Sequence, residues 1–395
     1  MTTPSPAGAP ARTAPRAWLA VLAVAAGTFT VVTTEMLPVG LLTRFAPALE
    51  VSEGVAGLTM TLPGLVAAVA APALTLTTAR LDRRLVLCAL LALLIVANVL
   101  CAVAPVFGVL LIGRLVAGVG IGGFWAVAAG LAVRLVPGRS VGAATSTIFG
   151  GIAVASVLGV PAATYLGDLA GWRLAFTAMG VLALAVLAGL LLLVPPLPAT
   201  GAVRLDAVPA LVRDRRVRIG LLVTLLLVTG HFAANTYLRP VLEQLGGIPS
   251  GLVGTLLLVY GAAGVLGNFA AGTAASRDVR RTLIALALVL GTAVLLIPVV
   301  PALAIALLVV WGLAYGGVSV SVQTWFLTAG HAAPEAGSAI FVSAFNLAIA
   351  LGALLGGRIA DAVTLSGALW TGGALAVLAA VPLLLRPVSP AGDRP

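Results

Sequence analysis

The sequence predicts an all-α polytopic membrane protein: twelve transmembrane helices in two pseudo-symmetric six-helix bundles. Three observations carry this. Hydrophobic residues make up 61% of the 395 and charged residues 9%, far more apolar surface than a water-soluble domain uses. Uninterrupted apolar runs recur along the chain, each long enough to cross a hydrocarbon core of about 30 Å as a helix. The arginines gather in alternate connections between the runs, as topology-setting charge does. A spanning β-barrel would need short segments of alternating polarity, and the continuous runs argue against it.

The first run, Trp18–Leu42, follows Arg12 and Arg16 and so imitates a signal peptide. It is too long for one, and more spans follow, so it reads as the first helix. The next runs are Val55–Leu76, Val86–Val103, Phe107–Val133, Gly142–Leu166 and Leu174–Val194. After a polar connection come Ile219–Tyr237, Leu252–Ala275, Leu283–Val300, Ala302–Leu327, Ser338–Ile359 and Ala368–Leu385. The expected organisation is a disordered Pro/Ala-rich tail (1–15), an N-terminal bundle (16–195), a cytoplasmic linker (196–218), a C-terminal bundle (219–386) and a tail (387–395). Cys88 and Cys101 share the third run and read as small buried hydrophobes.

The net charge is +10, and all 22 basic residues are arginines. Seventeen fall on one side of the alternating loops. Only Arg44, Arg173, Arg239 and Arg358 fall on the other, and Arg114 lies within a span. The pattern argues against a nucleic-acid face. It puts the arginine-rich side and both termini in the cytoplasm, with the chain in the inner or plasma membrane. No metal cluster, paired catalytic carboxylates or nucleophile–base motif points to an enzyme.

The two halves repeat. Span two ends in ARLDRR (Ala79–Arg84) and span eight in ASRDVRR (Ala275–Arg281). Span four holds GRLVAG at Gly113–Gly118 where span ten holds GLAYGG at Gly312–Gly317. Span five carries GVPAATYLGD (Gly159–Asp168) where span eleven carries GALLGGRIAD (Gly352–Asp361). Six spans per copy keep both copies in one orientation, so their symmetry axis should lie along the membrane normal.

These features together resemble the major facilitator superfamily. ARLDRR is similar to that family's loop motif between helices two and three, keeping Asp82, Arg83 and Arg84 but having Thr78 where the first glycine is expected. GRLVAGVGIGG resembles its fourth-helix motif with an intramembrane arginine, here Arg114. SVLGVPAATYLGD resembles the Gly-Pro motif of helix five, with Val160 between Gly159 and Pro161. TTEMLPVGLL, GWRLAF and GHFAANTYLRP look like the drug/proton antiporter branch, near its sugar-efflux, arabinose-efflux and chloramphenicol-exporter members. The resemblance implies alternating access between the bundles, a small-molecule substrate and the proton gradient as energy source without a cofactor. A monomer in the lipid bilayer is expected.

Within that frame the candidate site residues can be placed. Of twelve acids, Glu35 alone lies well inside an apolar run. A charge at such depth costs about 2.5–3.5 kcal/mol on insertion scales, so it needs a partner, a wet cavity or a proton. Arg114 is the natural partner. Glu35 lies nine residues from Arg44 and Arg114 nine from Pro105, which sets both at about 13 Å from the same boundary. Loss of water favours a neutral carboxyl and a guanidinium favours a charged one, a balance suited to proton coupling. His231 and Asn235 share a helix face, and His231 matches Thr28 under the repeat. Glu35, Arg114 and His231 are therefore expected in proton coupling, and Thr28, Asn235, Tyr315 and Gln323 at the substrate. Asp82, Arg83, Arg84, Asp278, Arg280 and Arg281 are expected to gate the cytoplasmic side. Gly118 with Gly122 and Gly352 with Gly356 have the small-xxx-small spacing of close helix contacts, and Gly159 with Pro161 suits a bend. A proton-coupled exporter of small drug-like or sugar-like molecules is the leading expectation. A facilitator or nutrient importer of the same fold and a non-transporting membrane sensor are the alternatives.

Overall fold

The computed structural model describes residues 15–128, 130–198, 208–329 and 334–385. The expected C-terminal tail (387–395), most of the N-terminal tail and residues 199–207 of the expected linker lie outside them. Among the described residues, eleven helices are long and apolar enough to cross a membrane. They are α1 Pro15–Ala48, α2 Glu53–Thr77, α3 Arg83–Ala102, α4 Phe107–Ala128, α5 Val141–Ala170, α6 Trp172–Leu193 and α7 Arg215–Asn235. The 47-residue Ser250–Leu296 follows, then α10 Pro301–Ala329, α11 Ala339–Ala362 and α12 Leu365–Leu385.

Ser250–Leu296 accounts for the missing count. At 1.5 Å per residue it would be about 70 Å long, twice a hydrocarbon core. Asp278 inside it leaves helical geometry (φ −153°, ψ 92°), so the chain turns there. Its arms, α8 (250–277) and α9 (279–296), are two crossings, and the total is twelve. The sequence expects a loop here; the structure compresses it to one residue, because the Asp278 carboxylate accepts the Arg281 N–H at 2.9 Å and so starts α9 directly.

Other helix starts follow the same chemistry, a short polar side chain accepting an otherwise unpaired first-turn N–H. Ser52 accepts from Val55, Asp82 from Arg84, Asp214 from Arg216 and Val217, and Thr364 from Gly367. α5 contains a single π-helical turn, Ala155–Gly159, just ahead of Pro161. Proline offers no N–H to the turn before it, and the widened turn absorbs the loss. A Cβ on Gly159 would collide with the Thr33 hydroxyl of α1.

Glycines set the closest helix approaches. On α4, a Cβ on Gly118 would lie 2.7 Å from the Pro63 carbonyl oxygen of α2, and one on Gly122 2.6 Å from that of Ala67. On α11, Gly352 meets the Thr229 carbonyl and Gly356 that of Ala233, both on α7. Each pair thus packs within its own half.

The apolar core divides likewise. Two clusters gather side chains of α1–α6, with Tyr237 the one fully buried intruder from beyond them. A third gathers α7–α12 and takes in Val39, Met60 and Val160 from the first half. The halves meet through α2 against α11, where Gly64 faces Ala350, and through α5 against α8, where Gly261 faces Ser156. Between described residues, every side-chain hydrogen bond or ion pair that crosses from one half to the other lies at the arginine-poor ends of the helices.

Candidate transport site

Arg114 is 0% exposed, and each nitrogen of its guanidinium donates a hydrogen bond. Nε donates to the Thr59 carbonyl at 2.8 Å, Nη1 to the Thr34 carbonyl at 2.8 Å and Nη2 to the Glu35 carbonyl at 3.0 Å. The reason lies four residues downstream. Pro38 sits inside α1 and Pro63 inside α2. An α-helical carbonyl bonds the N–H four residues on, and proline has none, so Thr34 and Thr59 are the two carbonyls these prolines orphan. Arg114 supplies the missing donors and ties α1, α2 and α4 together.

This corrects the expected contact pair. Glu35 and Arg114 are level, as their spacing from the helix ends requires, but the guanidinium holds the Glu35 backbone and leaves its carboxylate alone. Glu35 is 7% exposed, and its carboxylate has no hydrogen bond or ion pair among the described residues. It nevertheless stays within the electrostatic reach of Arg114, and within that of Tyr315 on α10 of the opposite half. Its neighbours Met36 and Val39 pack into the core cluster of the opposite half, which places this stretch of α1 at the boundary between the bundles.

The other half contributes an aromatic group. His231 on α7 accepts the Trp311 indole N–H through Nδ1 at 3.0 Å. Its ring stacks on Tyr315, with centroids 3.3 Å apart and planes 2° from parallel, and meets Phe232 edge-on at 4.8 Å. Tyr260 of α8 adds an edge-on contact to Trp311, and its hydroxyl has no partner among the described residues. His231 is 1% exposed, while Tyr315 is half-buried and offers the accessible edge of the stack. Because Nδ1 accepts, the proton of the neutral ring sits on Nε2.

The other expected binding residues divide. Asn235 is 7% exposed, one turn above His231 and without a side-chain bond among the described residues. Gln323 is half-buried two turns along α10 from Tyr315. Thr28 does not join them. It is 0% exposed, bonds the Val24 carbonyl of its own helix at 3.3 Å and abuts Gly151 of α5. Its match to His231 under the repeat holds in sequence, but a small side chain there is sealed by helix packing while the imidazole reaches an indole.

The expected cytoplasmic gating residues all bond within their own halves. Asp82 caps Arg84, Arg83 bonds Thr78, and Arg84 reaches the Leu191 carbonyl. Asp278 caps and pairs with Arg281 at 3.2 Å, and Arg280 donates to the Leu383 carbonyl at 2.8 Å. The bond the structure gives each repeated aspartate, Asp82 and Asp278, is a helix cap.

Sequence reasoning missed the opposite mouth. Arg239, just past α7, is 0% exposed; it pairs with Asp168 of α5 at 2.6 Å and with Glu243 at 3.0 Å, and donates to the Gly40 carbonyl of α1. Asp361 of α11 reaches Ser52 and Gly54 at the start of α2. Tyr237 donates to Ala353 at 2.9 Å and also meets Gly54. The available signal was the repeat itself, in which Asp168 and Asp361 end matching segments.

Comparison with known proteins agrees with this architecture. A family model described as Major Facilitator Superfamily matches residues 22–342. A Pseudomonas aeruginosa protein named transcription regulatory protein OpdE is 34% identical over 384 residues, covering 95% of this chain and 96% of the relative. The purine ribonucleoside efflux pump NepI of Escherichia coli is 34% identical over 377 residues, covering 95% of each. Among solved structures, a bacterial homologue of the human lysosomal transporter Spinster superposes with a TM-score of 0.75 at 14% identity, over 94% of this chain and 96% of that one. The human organic anion transporter MFSD10 does so with 0.68 at 20% identity, over 94% and 100%. By family model and full-length relatives alike, the chain belongs to the major facilitator superfamily: it is a multi-pass membrane transporter, not an enzyme.

Proposed function

We propose that the protein exports a small, neutral, ring-bearing molecule in exchange for protons that neutralise Glu35. One observation carries this reading: a carboxylate deep in α1, free of any bond among the described residues, lies on a stretch of helix whose Met36 and Val39 pack against the other half. An acid held in a permanent ion pair could not exchange its proton freely; this one can. A planar substrate has an aromatic edge to lie against and polar groups at Asn235, Tyr260 and Gln323 to bond. Ionised Glu35 accepts through both oxygens and protonation turns one of them into a donor, so substrate and proton compete for it. The relative named as a purine ribonucleoside efflux pump supports both the direction and a heterocyclic substrate. The arginine distribution supports placing the arginine-rich ends in the cytoplasm.

Proteoliposomes loaded with radiolabelled purine ribonucleoside test the reading. Efflux should accelerate under an imposed proton gradient and fall to the leak rate when the gradient is collapsed. Glu35→Gln should abolish gradient-driven movement and leave a weaker substrate binding that no longer depends on pH. Efflux indifferent to the gradient would reject the proposal.

A second reading rests on the regulatory name of the other relative. A membrane sensor would bind ligand and never move it. Saturable binding by purified protein with no counterflow in vesicles would favour that reading.

A further inference from the structure

We infer that Asp168 and Asp361, one from each copy of the repeat, are the paired locks of the arginine-poor mouth, and that Asp361 locks it as an N-cap supplied to α2 by the opposite bundle. The inference rests on the alternating-access reading of the halves.

The two aspartates are equivalent in sequence, ending GVPAATYLGD and GALLGGRIAD. Both sit in the last turn of their helix, and both reach across the boundary. Their partners differ. Asp168 accepts from Arg239 at 2.6 Å and from Arg44 at 2.8 Å. Arg44 belongs to its own half, whereas Arg239 comes from the other and is wholly buried. Asp361 finds no arginine. Its Oδ2 accepts the Ser52 hydroxyl at 2.5 Å and its Oδ1 the Gly54 N–H at 2.9 Å. Those groups form the first turn of α2, where N–H groups lack helical partners and the helix dipole favours negative charge. Ser52 already serves Val55 of its own helix, so the foreign carboxylate fills the donor that remains.

The backbone is shaped for this approach. A Cβ on Gly54 would run into the Asp361 carboxylate and the Gly357 carbonyl. A Cβ on Gly357 would run into the Tyr237 hydroxyl and lie 2.6 Å from the Gly54 carbonyl. Gln244 bonds Glu53 beside them at 2.8 Å. These contacts join the halves at one mouth. A carrier that presents its site to the two sides in turn must break them together, and the two carboxylates hold three of the six polar contacts between described residues.

Paired spin labels test this. In a Cys88→Ala, Cys101→Ala background, one pair (Val106→Cys with Val363→Cys) spans the arginine-poor mouth and another (Leu81→Cys with Arg277→Cys) the arginine-rich one. Distances are read by pulsed EPR in lipid nanodiscs without substrate or proton gradient, so the result does not depend on direction or coupling. Asp361→Asn should raise the long-distance fraction at the first mouth about two- to fivefold, the scale of one lost polar contact, Asp168→Asn should raise it further, and both should shorten distances at the second. Asp361→Glu should restore the original distribution. Ser52→Ala leaves every charge in place; it should shift the same populations less, and it stands in if an Asn variant does not fold. Distributions that superpose on the unsubstituted protein in Asp361→Asn and Ser52→Ala alike would overturn the inference.

Discussion

Arg114 illustrates how much a single residue can change meaning between sequence and structure. An arginine at mid-membrane and a glutamate at the same level invite an ion pair. Two prolines redirect the guanidinium to carbonyls instead. Arg114→Leu should leave the Thr34 and Thr59 carbonyls buried without donors, at about 1–3 kcal/mol each, and lower the Tm of the purified protein by several degrees. Adding Pro38→Ala and Pro63→Ala returns the missing N–H groups, so the triple variant should recover part of that loss in the same thermal assay. No recovery would mean the arginine acts through its charge. Glu35→Gln, by contrast, should not lower the Tm, because its carboxylate makes no bond among the described residues and the amide removes a charge from an apolar helix. His231→Phe keeps a ring against Tyr315 but strips the Trp311 N–H of its acceptor. It should cost about 1–3 kcal/mol, read as a lowered Tm with quenched or shifted tryptophan fluorescence.

Among the elements, backbone contact at glycine decides which helices touch. Gly118→Val and Gly356→Val would place carbon inside the van der Waals radius of backbone oxygens that cannot move aside. Both variants should fail to yield monodisperse protein in size-exclusion chromatography. Gly108→Ala and Gly150→Ala meet nothing within 4 Å and should behave like the parent. The turn between α8 and α9 shows a second economy: Asp278 both breaks one helix and caps the next. Its counterpart Asp82 gives a clean discrimination between capping and gating. Asp82→Asn keeps an oxygen acceptor for the Arg84 N–H, and loss of a cap altogether costs about 1 kcal/mol. If capping is its whole role, Asp82→Asn should transport at the parental rate while Asp82→Ala loses stability.

Across the whole molecule, the halves are joined unevenly. Between described residues their polar bonds collect at the arginine-poor mouth, and the aspartates there differ in kind. Asp168 binds a buried guanidinium, whereas Asp361 lies at the exposed rim on a helix end. Breaking a buried charge pair by removing one partner is expensive, while rim contacts contribute about 0–1 kcal/mol. Asp168→Asn should therefore destabilise the closed mouth more than Asp361→Asn in the spin-label experiment.

The sequence by itself determined the number of crossings, the repeat, the family and the depth of Glu35 and Arg114, because hydropathy and charge placement act locally and the bilayer fixes the length of every helix. It also marked the packing glycines, whose spacing is a property of one helix. Only the tertiary structure decided who bonds whom. Arg114 turns to carbonyls because prolines on two other helices leave them bare. His231 accepts an indole N–H from α10, Thr28 is closed off by α5, and Asp168 and Asp361 reach the opposite half. Each of these outcomes depends on a partner far away in the chain, and a buried polar group bonds whichever donor or acceptor the packing brings within about 3 Å.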